Sequence, residues 1–418
     1  MRKVCVMGLG YIGLPTASVL AANGFEVVGV DVSPGVVDTV NSGNIHIEEP
    51  GLYTVVRAAT GSGNLRASLV PEDADIFFLA VPTPMDEENK ADMSYVRQAT
   101  EAIVPHLVSR NLVILESTSP PGTCRDLIKP ILEQSGLEVG RDVYLAHCPE
   151  RVLPGNILKE LIANDRVIGG YGKNCAVRAE MVYGRFVEGD ILLTDVTTAE
   201  MVKVIENTFR DVNIALANEA AVLCENLGIN FSEVARLANR HPRVNLHSAG
   251  PGVGGHCISV DPCFLIEQFP DETQLISQAR HRNDSMPAHV VHGILGLVAG
   301  TENPKIGVLG VAFKGNVDDV RNSPSLTVIE LLQSRGAQVT VHDPYVKNNH
   351  VELANIEDCF KDADCVVLLT DHSDYKYLDP AELKKLVRNP ILFDTRNLLD
   401  HILWKEVGFR VKVLGSGL

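Results

Sequence analysis

A glycine-rich turn near the start of the chain restricts its fold more than any other feature. Gly8, Gly10 and Gly13 have the spacing G-x-G-x-x-G, directly after the apolar run 3–7 and before the helix-like segment 14–23. Glycine at the first two positions permits a tight turn and a close approach of backbone to a pyrophosphate, while the third lets helix pack on strand. The pattern predicts a dinucleotide-binding βαβ unit, with the phosphates at the helix N-terminus.

The residue that ends the next predicted strand indicates which dinucleotide binds. The run 24–30 ends at Asp31, where a carboxylate can accept both ribose hydroxyls and would repel a 2′-phosphate, so NAD is favoured over NADP. Two threonines follow the later runs 76–81 and 112–115, at strand ends that line the ligand crevice; a turn-capping role is the alternative for either. The expected NAD contacts are Gly8, Gly10, Tyr11, Ile12, Gly13, Asp31, Thr83 and Thr118.

Composition and charge exclude several functional classes. The chain has 418 residues and a formal charge of −16, which disfavours non-specific binding to nucleic acid or to an anionic membrane. The uncharged stretch 4–25 has the length of a membrane span, but glycine and proline interrupt it, so strand, turn and helix fit better. Nine scattered cysteines without a C-x-x-C pair predict reduced thiols, a cytoplasmic location and no metal site.

The second half of the chain repeats features of the first. Segment 336–343 echoes 24–31, and 362–369 echoes the acidic and apolar run that begins at residue 73. The expected fold class is therefore α/β, with two doubly wound Rossmann-like domains joined by a helical central domain. The second domain has no G-x-G-x-x-G, so its nucleotide is expected to be held more by cationic side chains than by a glycine turn. These are Lys314 and Arg321, which follow Phe313, and Arg396, which follows a later apolar run.

A long helical pattern lies between the two repeats. Apolar residues recur at helical spacing over 198–227, and Thr197 to Glu200 match a capping box at its start. Such a helix joining two domains commonly packs on a partner subunit, so we expect a homodimer or a dimer-based oligomer. Lys203, Asn207 and Arg210 share one helical face, for which a solvated stripe is the alternative. The predicted domains are 1–196, 197–300 and 301–418.

One cysteine stands in a setting that favours chemistry. Cys257 follows glycines at 252, 254 and 255 and precedes Asp261 by four residues. The glycines leave room for a substrate beside the sulfur, and a helix beginning near Cys257 would favour the thiolate. A thiolate beside a nicotinamide site implies aldehyde oxidation through a thioester. The cysteines expected to be inert small hydrophobes are Cys5, Cys148, Cys175, Cys224, Cys359 and Cys365.

Seven motifs, in order over nearly the whole chain, resemble the UDP-glucose/GDP-mannose dehydrogenase family. They are Gly8-Leu-Gly-Tyr-Ile-Gly-Leu-Pro, Val81-Pro-Thr-Pro, Glu116-Ser-Thr-Ser-Pro-Pro-Gly-Thr, Cys148-Pro-Glu-Arg-Val-Leu-Pro-Gly, Glu200-Met-Val-Lys-Val-Ile-Glu-Asn, Gly254-Gly-His-Cys and Phe313-Lys-Gly. The resemblance implies a two-step, NAD-dependent oxidation of a sugar C6 alcohol to a carboxylate, in which Cys257 forms a thiohemiacetal and then a thioester.

The resemblance also assigns roles to individual residues. The implied catalytic residues besides Cys257 are Lys203 and Asn207 for oxyanion stabilisation, Thr118 and Asp261 for proton transfer through a water, and Glu150 for thioester hydrolysis. The implied contacts to the UDP-sugar are Glu150, Arg151, Lys203, Asn207, Arg210, Arg243, Gly254, Phe313, Lys314, Arg321 and Arg396, with Arg243 possible from a neighbouring subunit.

The sugar itself is less constrained. Segments 209–213, 241–245 and 250–257 resemble the family branch that acts on UDP-N-acetyl-D-mannosamine, with Arg151 and Arg210 as expected N-acetyl or sugar contacts. UDP-glucose enzymes commonly have Cys-Leu-Pro-Lys-Asp where this chain has Val260 in place of the lysine, which weighs against UDP-glucose. UDP-N-acetylglucosamine and UDP-N-acetylgalactosamine stay open, because one inverted hydroxyl depends on pocket geometry. Uronates of this kind usually enter surface polysaccharide synthesis.

Two other classes share the cofactor fold. A nucleotide-sugar epimerase or dehydratase typically has a Tyr-x-x-x-Lys pair, and this chain has none. A non-catalytic sensor of NAD or of a nucleotide-sugar would keep the glycine turn but would not need Cys257, Lys203 and Asn207 together. The sequence therefore favours a dehydrogenase.

Overall fold

The computed structural model describes residues 2–86, 90–153, 155–347 and 351–417. Their packing divides the chain into two compact units. The first contains residues 2–206 with 263–267, and the second contains 207–262 with 268–417.

The first unit is built on an eight-stranded sheet. Its strands are β1 (Lys3–Met7), β2 (Glu26–Val30), β3 (Leu65–Ser68), β4 (Ile76–Leu79), β5 (Leu112–Leu115), β6 (Tyr144–His147), β7 (Arg166–Gly170) and β8 (Ile191–Asp195). Its helices are α1 (Gly13–Ala22), α2 (Pro34–Asn41), α3 (Leu52–Gly61), α4 (Ser94–Ile103), α5 (Lys129–Leu132), α6 (Ile157–Ala163) and α7 (Lys173–Tyr183). The strand order is β3-β2-β1-β4-β5-β6-β7-β8, and neighbours are parallel except β6 and β7.

The central strand β1 shows why this segment folds as it does. Val4 and Val6 enter one apolar core, while Cys5 and Met7 enter another, so both faces of the strand are buried. A parallel strand covered on both faces is a continuous apolar run, as the sequence has here. The chain order reverses between β1 and β4, and the carboxyl ends of strands at such a switch point form the ligand crevice of doubly wound folds. The glycine turn follows β1, as predicted.

Four helices follow the first sheet along the chain. They are α8 (Val196–Leu227), α9 (Phe231–Ala238), α10 (Asp261–Gln268) and α11 (Gln274–Leu297). The helix α8 has 32 residues, about 48 Å at 1.5 Å per residue, which confirms the predicted long helix.

The predicted capping box at the start of α8 is wrong. The carboxylate of Asp195 accepts hydrogen bonds from the backbone N–H and the hydroxyl of Thr198, at 3.0 and 2.6 Å, and so caps the first turn. Glu200 is fully buried and binds a different segment. Local spacing favoured Glu200 as a cap, but a tertiary contact claims its carboxylate.

The second unit contains a five-stranded parallel sheet that repeats the plan of the first. Its strands are β9 (Lys305–Leu309), β10 (Gln338–His342), β11 (Cys365–Leu368), β12 (Ile391–Asp394) and β13 (Arg410–Val413), and its further helices are α12 (Pro324–Ser334), α13 (Ile356–Phe360), α14 (Pro380–Lys384) and α15 (His401–Glu406). The order β10-β9-β11-β12 matches β2-β1-β4-β5. The two Rossmann-like domains with a helical central domain are therefore confirmed.

Candidate active site

The glycine turn after β1 is shaped for close approach by a ligand. Gly8 has a φ of 92°, and an added Cβ there would lie 2.7 Å from the Ala80 carbonyl oxygen. An added Cβ on Gly13 would overlap the Gly8 carbonyl, whereas one on Gly10 would meet no atom within 4 Å. The first and third glycines are thus required by packing, and the second leaves its side of the turn open, as a dinucleotide phosphate needs. Tyr11 is exposed and Ile12 is half-buried on the same turn.

Asp31 lies at the end of β2, next to this turn. Its carboxylate accepts hydrogen bonds from the backbone N–H groups of Leu9, at 3.1 Å, and Ser33, at 3.0 Å, and it remains half-exposed. Those two bonds fix the carboxylate at the mouth of the turn while leaving lone pairs for ribose hydroxyls. The residues therefore fit NAD.

The two predicted threonines lie together. The hydroxyl of Thr83 donates to the Thr118 carbonyl at 2.7 Å, and Ser117 donates to the Val81 carbonyl at 2.6 Å. These bonds tie the loops after β4 and β5 to each other at the carboxyl ends of the strands. Thr118 is half-buried.

A glutamate on α8 holds the loop that carries Thr118. The Glu200 carboxylate accepts the backbone N–H groups of Gly122, at 2.5 Å, and Cys124, at 2.8 Å. Burial raises the pKa of Glu200, and these two N–H groups oppose that rise. The contact joins residues 76 or more positions apart, which is why no local pattern revealed it.

Glu150 is part of a buried ionic network. It is 7% exposed; its two carboxylate oxygens accept from the Arg151 backbone N–H and from the Arg166 guanidinium, both at 2.7 Å. Arg166 is 1% exposed and also lies over the ring of Tyr183, whose hydroxyl donates to Glu116 at 2.7 Å. The sequence reasoning named Glu150 but missed Arg166, Tyr183 and Glu116 as its surroundings.

Glu116 is the most perturbed carboxyl of this network. Burial, and then the negative charge of Glu150, raise its pKa to about 7, against the hydrogen bond from Tyr183 and the positive charge of Arg166. A carboxyl with such a pKa changes protonation near neutral pH, unlike an exposed glutamate.

Arg151 and the predicted sugar contacts on α8 differ in how available they are. Arg151 is bound to Glu206 at 2.7 Å and to the Asp165 carbonyl at 3.3 Å, so its guanidinium is already engaged. Lys203 is half-buried on α8, one turn before Asn207. Arg210, one turn later, is exposed.

In the second unit, Asn207 and Asp261 lie together. The Asn207 side-chain amide donates to the Asp261 carboxylate at 2.6 Å, and the two residues are 5% and 3% exposed. An amide on α8 thus fixes the carboxylate that follows the cysteine. The sequence named both residues but did not predict that they contact each other.

Cys257 is a partly exposed cysteine outside any disulfide, just before α10. Its carbonyl accepts from the backbone N–H of Val260, at 3.1 Å, and of Asp261, at 2.9 Å. The helix begins at Asp261, so Cys257 lies one turn ahead of it, and the bond from the Asp261 N–H closes that turn. The six cysteines expected to be inert are all buried.

The glycines before Cys257 are enclosed by neighbouring residues. An added Cβ on Gly254 would lie 2.5 Å from the Asn322 carbonyl oxygen and 2.9 Å from the Phe313 Cβ. Gly255 has a φ of 86°, and a Cβ there would lie 2.9 Å from the Phe313 ring. Any larger residue would displace Phe313 or the loop.

The predicted cations of the second unit fall into two groups. Lys314 and Arg243 are exposed. Arg321 pairs with Asp319 at 2.6 Å, and Arg396 donates to the carbonyls of Leu369, at 2.9 Å, and Phe313, at 3.4 Å. Arg396 thus binds the turn after β9 through the Phe313 carbonyl, and it also carries a positive charge.

Asp343, just after β10, binds the turn that follows β9. It matches Asp31 in position, but its carboxylate accepts the backbone N–H groups of Val311 and Ala312, at 2.8 and 3.1 Å, and contacts His372 Nε2 at 2.9 Å. Burial would raise its pKa, yet these hydrogen bonds lower it to about 2. The acid therefore stabilises its own turn and is not aimed at a ribose.

Metal ligation and membrane crossing are two further roles that the described residues could have. Within them, no group of three or more His, Cys, Asp or Glu side chains is placed to hold a metal ion. None of the helices in this described part combines the length and hydropathy that a membrane crossing needs.

Comparison with known proteins gives matches along the whole chain. Residues 2–187, 197–285 and 307–401 match the NAD binding, central and UDP binding domains of the UDP-glucose/GDP-mannose dehydrogenase family. A UDP-N-acetyl-D-mannosamine dehydrogenase of Methanococcus maripaludis is 47% identical, covering 100% of this chain and 98% of the relative. An NDP-N-acetyl-D-galactosaminuronic acid dehydrogenase of Ralstonia nicotianae is 45% identical, covering 95% and 96%. The structure of UDP-D-ManNAc dehydrogenase from Pyrococcus horikoshii matches with a TM-score of 0.94 and 40% identity, covering 100% of both chains.

Proposed function

The chain belongs to the UDP-glucose/GDP-mannose dehydrogenase family and is an NAD-dependent nucleotide-sugar 6-dehydrogenase, and we propose that its substrate is UDP-N-acetyl-D-mannosamine. The product would be the corresponding uronate. We propose three domains: residues 1–196 bind NAD, residues 197–300 form the central domain, and residues 301–418 bind the UDP moiety.

The observation that carries the chemical proposal is the setting of Cys257. It is a partly exposed thiol at the end of a glycine loop, and Asp261, one turn later, is fixed by a 2.6 Å hydrogen bond from Asn207. A reachable thiol followed by a fixed carboxylate suits formation of a covalent intermediate and transfer of its protons.

The proposed reaction has four steps. NAD, when bound, accepts a hydride in each of the two oxidations. After the C6 alcohol loses a hydride and a proton, the Cys257 sulfur adds to the aldehyde carbon and forms a thiohemiacetal. Loss of a second hydride and a proton gives a thioester, and water then breaks the carbon–sulfur bond to release the carboxylate and the thiolate.

The other residues take the roles that the resemblance implied. Lys203 and Asn207 stabilise the oxyanion on C6, and Thr118 and Asp261 pass protons through a water. Glu150 orients the hydrolytic water, and its carboxylate is itself held in place by the 2.7 Å bond from Arg166. Arg151 is the weakest assignment, since Glu206 already engages it.

The choice of sugar is supported by the full-length relatives and by Val260. Two classes of relative at 47% and 45% identity are named for UDP-N-acetyl-D-mannosamine and for an NDP-N-acetyl-D-galactosaminuronic acid. UDP-N-acetyl-D-galactosamine is therefore the second candidate, and UDP-N-acetylglucosamine and UDP-glucose follow.

The purified enzyme would be mixed with NAD and, separately, each of these four UDP-sugars. We expect about two NADH per uronate, with the highest kcat/KM for UDP-N-acetyl-D-mannosamine. Cys257→Ser should lower uronate formation by about 10³-fold or more while retaining UDP-sugar binding in calorimetry. Cys263→Ser, the matched control at the other partly exposed cysteine near the loop, should keep near-normal turnover. Normal uronate formation by Cys257→Ser would rule out the thioester route.

We also propose a homodimer or a dimer-based oligomer in the cytoplasm. On α8, Phe209, Leu216, Leu223 and Leu227 are 62%, 52%, 56% and 72% exposed at spacings of seven, seven and four residues. Such an apolar stripe is typical of a face that a partner covers. All nine cysteines are free thiols, which supports a reducing compartment.

A further inference from the structure

A chain of buried polar side chains links α8 and α11. Asn218 on α8 donates to the Asn283 side-chain oxygen at 2.9 Å. Asn283 on α11 donates in turn to the side-chain and backbone oxygens of Asp211, at 2.8 and 3.0 Å. Arg280 pairs with the same Asp211 carboxylate. Asn218, Asn283 and Asp211 are 0% exposed.

Asn218, at one end of this series of hydrogen-bonded side chains, also binds the loop that leads to Cys257. The side-chain oxygen of Asn218 accepts the backbone N–H of Gly250 at 2.9 Å. The bond is buried and joins residues 32 positions apart. An added Cβ on Gly250 would lie 2.8 Å from a guanidinium nitrogen of Arg396, so a larger residue would displace that guanidinium. The first residue of the loop is therefore bound by a buried amide and lies close to a guanidinium.

The rest of the loop is held at short intervals. Gly252 has a φ of 135°, and an added Cβ there would lie 2.9 Å from Pro324 and 3.3 Å from the Asn283 carbonyl oxygen. Gly255 donates its N–H to the Arg321 carbonyl at 3.0 Å, and its own carbonyl accepts from Asn322 at 3.2 Å. Asn283 thus contacts the loop by its backbone and, through Asn218, by its side chain.

We propose that Asn218 and Asn283 are positioning residues that set the path of the 250–257 loop and thereby the place of the Cys257 sulfur. The proposal rests on the nucleophile assigned to Cys257 above. In this proposal the two fully buried side-chain amides do not contact the substrate. They affect the reaction only by fixing the position of the loop. A nucleophile displaced by about 1 Å can lose on the order of 100-fold in rate, because the attack requires close alignment.

The test compares Asn218→Ala and Asn283→Ala with a matched control, Asn111→Ala. Asn111 is 3% exposed and lies just before β5, at the strand end opposite the loop of Thr118; its side chain makes partly buried bonds from the Val108 N–H at 2.7 Å and to the carbonyls of Ala74 and Asp75 at 2.9 and 3.4 Å. We expect Asn218→Ala to lower kcat about 10- to 100-fold with less than about a threefold change in KM for the UDP-sugar. Asn283→Ala, which leaves the Gly250 bond in place, should have a smaller effect. The control should lose thermal stability and keep its kcat.

A second readout follows the sulfur directly. The rate of Cys257 alkylation by iodoacetamide, measured by mass spectrometry of the 250–262 segment, should change at least threefold in Asn218→Ala and stay at the wild-type value in Asn111→Ala. If Asn218→Ala does not fold, Asn218→Leu is measured instead; it fills a similar volume but offers no oxygen to Gly250 and no donor to Asn283, and the same direction of change is expected. Wild-type kcat and alkylation rate in the folded Asn218 variant would overturn the positioning role. Activity of Cys257→Ser would instead overturn the nucleophile, so the two failures are distinct.

Discussion

Replacing Glu116 by glutamine should make the enzyme more stable in alkali relative to the wild type. Glu116 is 2% exposed beneath the loop that carries Thr118, and burial with the nearby charge of Glu150 raises its pKa to about 7 from an ordinary 4.5. Its hydrogen bond from Tyr183 and the charge of Arg166 only partly offset that rise. Glutamine has the same shape, still accepts from Tyr183 and never ionises.

The raised pKa fixes the sign of the effect. Below about pH 4.5 the carboxyl is protonated in both the folded and unfolded chains, so its burial costs no ionisation energy. Between about 4.5 and 7 the unfolded chain loses the proton while the folded chain keeps it, so the wild type loses stability as pH rises. Above 7 the buried group is ionised, and the full cost applies. A pKa rise from 4.5 to about 7 corresponds to roughly 3 kcal/mol at about 1.4 kcal/mol per tenfold.

Thermal unfolding between pH 5 and 9 measures this directly. The difference in Tm between Glu116→Gln and wild type should grow with pH and level off above 7, by on the order of 6 °C. The glutamine NH2 has no partner at the site of Glu116 Oε2, which adds a constant cost at every pH. The pH-dependent part is therefore the test. Glu101→Gln, at an exposed position on α4, is the control and should give a flat difference. A flat difference for Glu116→Gln as well would refute the raised pKa.

Two further predictions concern the cofactor and the assembly. Asp31→Asn should raise the ratio of kcat/KM for NADP to that for NAD by about tenfold or more, because the carboxylate that repels a 2′-phosphate is gone; an unchanged ratio would show that Asp31 does not face the ribose. Leu216→Glu should shift the enzyme towards a 45.3 kDa species in light scattering, whereas Ile402→Glu, at a 72% exposed site on α15, should not. A wild type that is already 45.3 kDa would contradict the dimer.

The parts of the fold that the sequence predicted are those coded by neighbouring residues. Strand β1, the glycine turn and α1 follow from one local pattern, since a Cβ on Gly13 would meet the Gly8 carbonyl within the same short βα unit and Gly10 leaves the turn open. The repeat of 24–31 in 336–343 likewise predicted the second sheet. It did not predict that Asp343 would bind its own turn, because the partner that fixes it there, His372, lies 29 residues away.

The side chains that sequence reasoning missed are held by distant partners. Arg166 donates to Glu150, 16 residues earlier in the chain, and Asn218 donates to Asn283, 65 residues later. Glu200 accepts from a loop more than 70 residues earlier. The capping-box prediction for Glu200 was wrong because a threonine three residues before a glutamate fits that pattern whichever partner the glutamate binds. Buried polar pairs of this kind need the topology before they can be named.

The helix α8 brings these observations together, because it buries one stripe of polar side chains and exposes one stripe of apolar side chains. Glu200, Asn207, Asp211 and Asn218, spaced by seven, four and seven residues, lie on one buried stripe, and each has a specific partner. The exposed stripe from Phe209 to Leu227 lies on the opposite side and is apolar. A helix stabilised only by burying apolar area would show the opposite arrangement. The polar side chains on its buried side therefore fix the loops that carry Thr118 and Cys257 and the carboxylate of Asp261. Its apolar side must be covered by another surface. We therefore expect disruption of α8 to abolish the helix, the loop positions and the oligomer at the same time.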